Sequence, residues 1–156
     1  MRIIYLLLAA LVICACTDDY IYHDLRDIDK GAWVVGDSVS FTLQPPDTVT
    51  DYSLILLMHH SDAYPYQNLY VRTRTLFPDG RQVDGRTSLQ LADPSGGWYG
   101  RCSSGNCKVR IDLQQRLRFD QIGEHLIIFT PHMRMDTIHG IDKIGIALEP
   151  WSDISE

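Results

Sequence analysis

From residue 37 onward the chain alternates apolar and polar side chains with a period of two, the pattern of a half-buried strand. Over 37–44, Val39, Phe41 and Leu43 fall on one face and Ser38, Ser40 and Thr42 on the other. Pro45-Pro46-Asp47 ends this segment, because consecutive prolines cannot donate to a ladder. Residues 52–60 are apolar on both faces, which predicts a central, buried strand. A strand over 68–76 follows. Pro78-Asp79-Gly80 then predicts a tight turn, with proline fixing φ and glycine accepting a positive one. Further short strands are predicted over 81–84, 87–91, 108–114, 124–130 and 143–149. No helical period is sustained, and the best single helical turn lies at 133–139. About eight short strands separated by turn signals imply one all-β domain over 31–156. The fold class expected is an antiparallel two-sheet β-sandwich, jelly-roll or Ig-like, with the strand order left open. The strands are too few, too short and too inconsistently apolar on one side for a transmembrane barrel.

The first residues read differently. Arg2 precedes an eleven-residue apolar run over 3–13, too short for a helix that needs about 20 apolar residues to cross a bilayer. Ile13-Cys14-Ala15-Cys16 resembles a bacterial lipobox, with an aliphatic residue at −3 and a small one at −1. Residues 1–15 are therefore expected to be a lipoprotein signal peptide, and Cys16 the acylated new N-terminus. The alternative is an ordinary signal peptide cut near Ala15 that leaves Cys16 free. Each buried CH₂ of an acyl chain contributes about 0.8 kcal/mol, and a triacylated cysteine gives a stable anchor. Membrane lipid is thus the first expected partner. Residues 16–30 are polar and acid-rich, an expected tether with some order near Tyr20 and Tyr22. Thr17, not aspartate, follows Cys16, and the short acidic stretch behind it resembles the surface-export signal of some Bacteroidota lipoproteins. The expected location is the outer membrane, with the periplasmic and cell-surface faces both open.

Composition narrows the class of partner. The 156 residues are 45 % hydrophobic and 22 % charged, with a formal net charge of −6. Loss of Arg2 leaves thirteen basic against twenty acidic side chains, a formal −7. Without a block of Lys and Arg, nucleic acid is not an expected partner. Of the four cysteines, Cys14 leaves with the signal and Cys16 carries lipid, so Cys102 and Cys107 are expected to pair in an oxidising compartment. Their four-residue loop would close a hairpin.

Candidate chemistry is sparse. His59-His60 sit in the predicted central strand, where neighbours point to opposite faces, and His132 and His139 show no ligand spacing, so no metal or other cofactor is expected. Ser61-Asp62 beside the histidines lacks a nucleophile elbow, and the carboxylates are scattered, so no catalytic residue is nominated. Tyr64-Pro65-Tyr66-Gln67-Asn68-Leu69-Tyr70 is the densest aromatic patch, and exposed tyrosines there would form a contact surface for protein or sugar. The alternative is that they cover the end of the sandwich. Trp98, within Gly96-Gly97-Trp98-Tyr99-Gly100, is expected to be buried.

Read together, the lipobox, Gly31-Ala32-Trp33, residues 37–41, Tyr64 to Leu69, Phe77-Pro78-Asp79-Gly80, Leu91-Ala92-Asp93, residues 97–100, Phe119, Gly123, Met133-Arg134 and Gly140-Ile141-Asp142-Lys143-Ile144-Gly145 resemble the gliding-motility lipoprotein GldH family of Bacteroidota. The likeness spans nearly the whole mature chain. It implies a membrane-anchored accessory protein of the gliding apparatus or cell envelope, working by protein–protein docking and without catalytic residues. Tyr64, Tyr66, Asn68, Tyr70 and Arg134 become the candidate partner-binding residues, with a surface glycan-binding module as the alternative. Two features depart from the family pattern. Met58 stands where an arginine is usual, and the Cys102–Cys107 loop replaces a glycine-rich segment.

Overall fold

The computed structural model describes residues 20–152. The expected signal peptide, residues 1–15, and the expected acylation site Cys16 lie outside the described residues. Eleven strands follow in chain order: β1 (Tyr22–Asp27), β2 (Ala32–Val34), β3 (Val39–Leu43), β4 (Tyr52–Ser61), β5 (Asn68–Leu76), β6 (Gln82–Gln90), β7 (Arg101–Ser103), β8 (Asn106–Leu117), β9 (His125–Pro131), β10 (Thr137–His139) and β11 (Ile141–Pro150). A single 3₁₀ turn, Asp29–Gly31, joins β1 to β2, and no α-helix is present among the described residues.

All pairings are antiparallel. One sheet has the order β1-β11-β4-β8-β7, a second β3-β9-β5-β6, and β10 and β2 form a small ribbon. Counted without the three-residue strands, the eight principal strands run 1-8-3-6 in one sheet and 2-7-4-5 in the other. This is the jelly-roll arrangement, so of the two expected sandwich types the Ig-like one is set aside. Leu56, Met58, Val109, Ile144, Ile146 and Leu148 of the first sheet share one core with Phe41, Leu43, Leu69, Val71, Leu89, Ile127 and Phe129 of the second. Phe41 and Phe129 meet edge-on at 6.1 Å. Burying each such side chain stabilises the domain by about 1.5–3 kcal/mol.

The alternation over 37–44 behaves as expected: Phe41 and Leu43 are fully buried while Ser40 and Thr42 are exposed. β4 is the central strand of the five-stranded sheet. Three expectations are corrected. The strands anticipated at 81–84 and 87–91 are one, β6, paired without interruption from Asn68↔Gln90 to Leu76↔Gln82. Gly85 stays extended opposite Thr73, so it does not break the ladder. The helical turn anticipated at 133–139 is a loop followed by β10, because Ile138 pairs with Trp33 and both are buried. Finally, residues 22–27, placed within the tether by their polarity, form β1. It is an edge strand that pairs with β11 from Tyr22↔Leu148 to Asp27↔Lys143.

Candidate functional site

The link from β4 to β5 carries the tyrosine-rich stretch. Tyr64 is only 4 % exposed. Its ring lies 6.0 Å from His60 and 6.5 Å from Trp98, and its hydroxyl donates to the Asn68 carbonyl at 3.3 Å. Burial pushes its phenol pKa well above the ordinary value. As a contact residue Tyr64 is therefore corrected: it plugs the end of the core. Tyr66 stacks edge-on against it at 5.6 Å and is 38 % exposed, and Tyr70 is 49 % exposed. Asn68 donates to Ser88 Oγ at 3.1 Å across the β5–β6 pair. Met133 Sδ accepts from the Tyr70 amide at 3.5 Å, which brings the 132–136 loop to this end of the domain, and Arg134 in that loop is exposed. Of the five candidates, Tyr66, Tyr70 and Arg134 offer open surface, Asn68 is half-buried and Tyr64 is closed off. Trp98, expected to be buried, is half-buried, and its indole N–H donates to the Asp62 carbonyl at 3.2 Å.

His59 and His60 point to opposite faces, as strand geometry requires. His60 is fully buried with its ring 4.7 Å from that of Trp98. His59 lies on the outer face, where burial first, then Lys108 and Lys143, lower its pKa. Among the described residues no group of three or more His, Cys, Asp or Glu side chains could hold a metal ion. Cys102 and Cys107 are joined by a disulfide across the β7–β8 hairpin, with Cα atoms 4.0 Å apart.

A feature that no sequence motif marks lies on the outer face of the four-stranded sheet. Alternation along β5 places Asn68, Tyr70, Arg72 and Arg74 on that face. The register sets Arg72 directly opposite Arg86 of β6, and Arg74 opposite Asp84. With Gly36, Ser38, Ser40, Leu126, Ile128 and Thr130 they border an open groove of about 880 Å³. Arg74 Nε bonds Asp84 at 2.6 Å, which holds that carboxyl below the usual range. Neither Arg72 nor Arg86 has an ion-pair or hydrogen-bond partner among the described residues. Their field, Arg72's first, lowers the pKa of His132 beside them. Ser38 and Thr130 hydroxyls bond each other at 2.7 Å along one wall. The signal was present in the sequence as arginines two residues apart in an alternating strand.

Fold and surface together define a two-sheet β domain whose open features include an aromatic end and a basic groove. The profile of the GldH lipoprotein family matches residues 20–148, from the start of β1 almost to the end of β11. The chain belongs to that family. It is 22 % identical over 142 residues to a gliding motility lipoprotein GldH homolog of Christiangramia forsetii, covering 86 % of each chain. It is 21 % identical over 151 residues to the gliding motility lipoprotein GldH of Flavobacterium johnsoniae, covering 92 % of this chain and 93 % of that one. Among solved structures, one of infectious bursal disease virus aligns with 85 % of this chain and 42 % of its own, at 11 % identity and a TM-score of 0.15, too low to bear on the fold.

Proposed function

We propose that the protein is a non-catalytic lipoprotein, anchored through acylated Cys16 to the outer membrane. In this reading it serves the gliding-motility or cell-envelope machinery by docking onto other envelope proteins. The observation that carries this reading is the family match, which takes in all eight principal strands, together with coverage of both named relatives over most of their length. The aromatic end supplies the docking surface: Tyr66, Tyr70 and Arg134 are exposed there over a rigid base made by Tyr64, His60 and Trp98. Aromatic and arginine side chains of this kind dominate the energy of many interfaces. The alternative of sugar stacking on this patch retains Tyr66 and Tyr70 but loses Tyr64.

The test is recovery of the tagged full chain from crosslinked, solubilised envelopes. One or more envelope proteins should co-purify in fixed ratio and be lost from Tyr66→Ala/Tyr70→Ala/Arg134→Ala. Recovery with no stoichiometric partner would refute docking. Separately, Cys16→Ala should be lost from outer-membrane fractions and carry no acyl label, and a variant that still reaches the outer membrane would refute the anchor.

A further inference from the structure

We infer that the groove on the outer face of the four-stranded sheet binds an anionic glycan, a sugar chain bearing carboxylate or phosphate groups, with one such group seated between Arg72 and Arg86. This inference goes beyond the docking reading; the two surfaces adjoin and share Tyr70, while Arg72 and Arg86 belong to the groove alone.

Like charges directly opposite each other weaken a β ladder, and Arg72 and Arg86 are direct partners. No carboxylate among the described residues pairs with either of them. The one carboxylate bordering the groove, Asp84, is committed to Arg74 at 2.6 Å. An otherwise acidic chain therefore keeps two arginines, with no side-chain ion-pair partner among the described residues, directly opposite each other in register on an open face. A carboxylate or phosphate between them accepts charge-assisted hydrogen bonds from both planar forks.

The surroundings favour sugar over peptide as the carrier of that anion. The walls are hydroxyls (Ser38, Ser40 and Thr130), which suit exchange of hydrogen bonds with sugar hydroxyls. The floor at Leu126 and Ile128 suits the C–H face of a sugar ring. Tyr70 lies one pleat beyond Arg72 on the same face, about 7 Å along the strand, and its exposed ring can stack on the next sugar. A peptide would want either free main-chain groups or a deep apolar socket. β5 and β9 under the groove are paired on both sides, so they have no free edge to which a strand could add. Of the large apolar side chains left exposed, Tyr70 alone belongs to this face of the two inner strands.

The experiment titrates the full chain in detergent with four probes by calorimetry. They are an alginate hexamer, a phosphorylated core oligosaccharide released from lipopolysaccharide, a neutral cello-oligosaccharide of matching length, and poly-glutamate. At least one of the first two should bind, and which one separates carboxylate from phosphate recognition. That binding should weaken several-fold as salt is raised, and fall at least tenfold in both Arg72→Gln and Arg86→Gln. Arg118→Gln, whose guanidinium pairs with Asp51 elsewhere, should bind as the parent does. Because Arg86→Gln removes a repulsion, its melting temperature should not fall, so lost binding cannot be put down to unfolding. The inference is overturned if neither anionic sugar binds, if the arginine variants bind unchanged, or if the neutral sugar or poly-glutamate binds as tightly.

Discussion

Gly145 of β11 offers a quantitative test of how the two halves of the chain are joined. It faces Leu25 of β1 across the ladder, in the outer layer of the five-stranded sheet. A Cβ at this position would clash with the Asp24 carbonyl oxygen and come within 2.8 Å of Leu25 Cδ1 and 2.9 Å of Leu25 Cα. Two of these three atoms are backbone, so no rotamer change clears them and β1 must move. Overpacking of this kind costs about 1–3 kcal/mol. Against it stands a gain of roughly 0.5–1 kcal/mol from replacing a conformationally free glycine by alanine. The net expectation for Gly145→Ala is a loss of about 1 kcal/mol and at most about 2.5 kcal/mol, or roughly 3–10 °C in melting temperature for a domain of this size. Thermal unfolding by circular dichroism reads the loss, and amide exchange over residues 22–27 should rise more than exchange in β4. Adding Leu25→Ala should recover only a minor part, since the backbone clash persists. Unchanged stability with unchanged β1 exchange would refute the argument that close approach of β1 is what requires glycine here.

Two further outcomes follow from local geometry. The Cys102–Cys107 bridge closes only a short loop, five residues in separation, so its reduction should cost about 2 kcal/mol of chain entropy. Urea unfolding with and without reductant should differ by no more than this, because β7 is a three-residue exposed edge strand; a loss above ~4 kcal/mol would show that the hairpin supports more than its own loop. Asp47 accepts hydrogen bonds from the Thr50 and Val49 amides and from the Thr50 and Tyr52 hydroxyls, which lower its pKa to about 2. A folded-state pKa below the unfolded one gives stability that is complete above about pH 4 and is lost as pH falls through about 2. The stability advantage of the parent over Asp47→Asn should therefore shrink across that window. An advantage independent of pH would refute the assignment.

The parts of the fold legible in the sequence were those in which one strand's own pattern decides the outcome. Val39, Phe41 and Leu43 turn one face of β3 inward against solvent-facing serine and threonine, and β4, apolar on both faces, runs at the centre of its sheet between β11 and β8. Elements whose reason lies in a partner were not legible. β1 reads as tether because Tyr22, His23, Asp24, Arg26 and Asp27 are polar, and only the β11 ladder makes it a strand. β10 reads as a helical turn until Ile138 is placed against Trp33. Gly85 reads as a break, yet hydrogen bonding along the whole β5–β6 pair carries the strand through it.

The same distinction holds at the surface. Tyrosines clustered in sequence looked equivalent, but Pro65 and the turn after β4 aim Tyr64 into the core and leave Tyr66 and Tyr70 outside. Arg72 and Arg86 are fourteen residues apart in the chain and become neighbours only through register. That register is set at the hairpin, where the Phe77 amide bonds the Arg81 carbonyl at 2.9 Å and Gly80, at φ +85°, bonds back to Phe77 at 2.9 Å. A one-residue slip would turn Arg86 toward the inner layer and replace it on the groove side by a neighbour in the sequence. The Phe-Pro-Asp-Gly segment thus bears on the groove without touching it. Its contribution is to hold Arg72 and Arg86 opposite each other on one face.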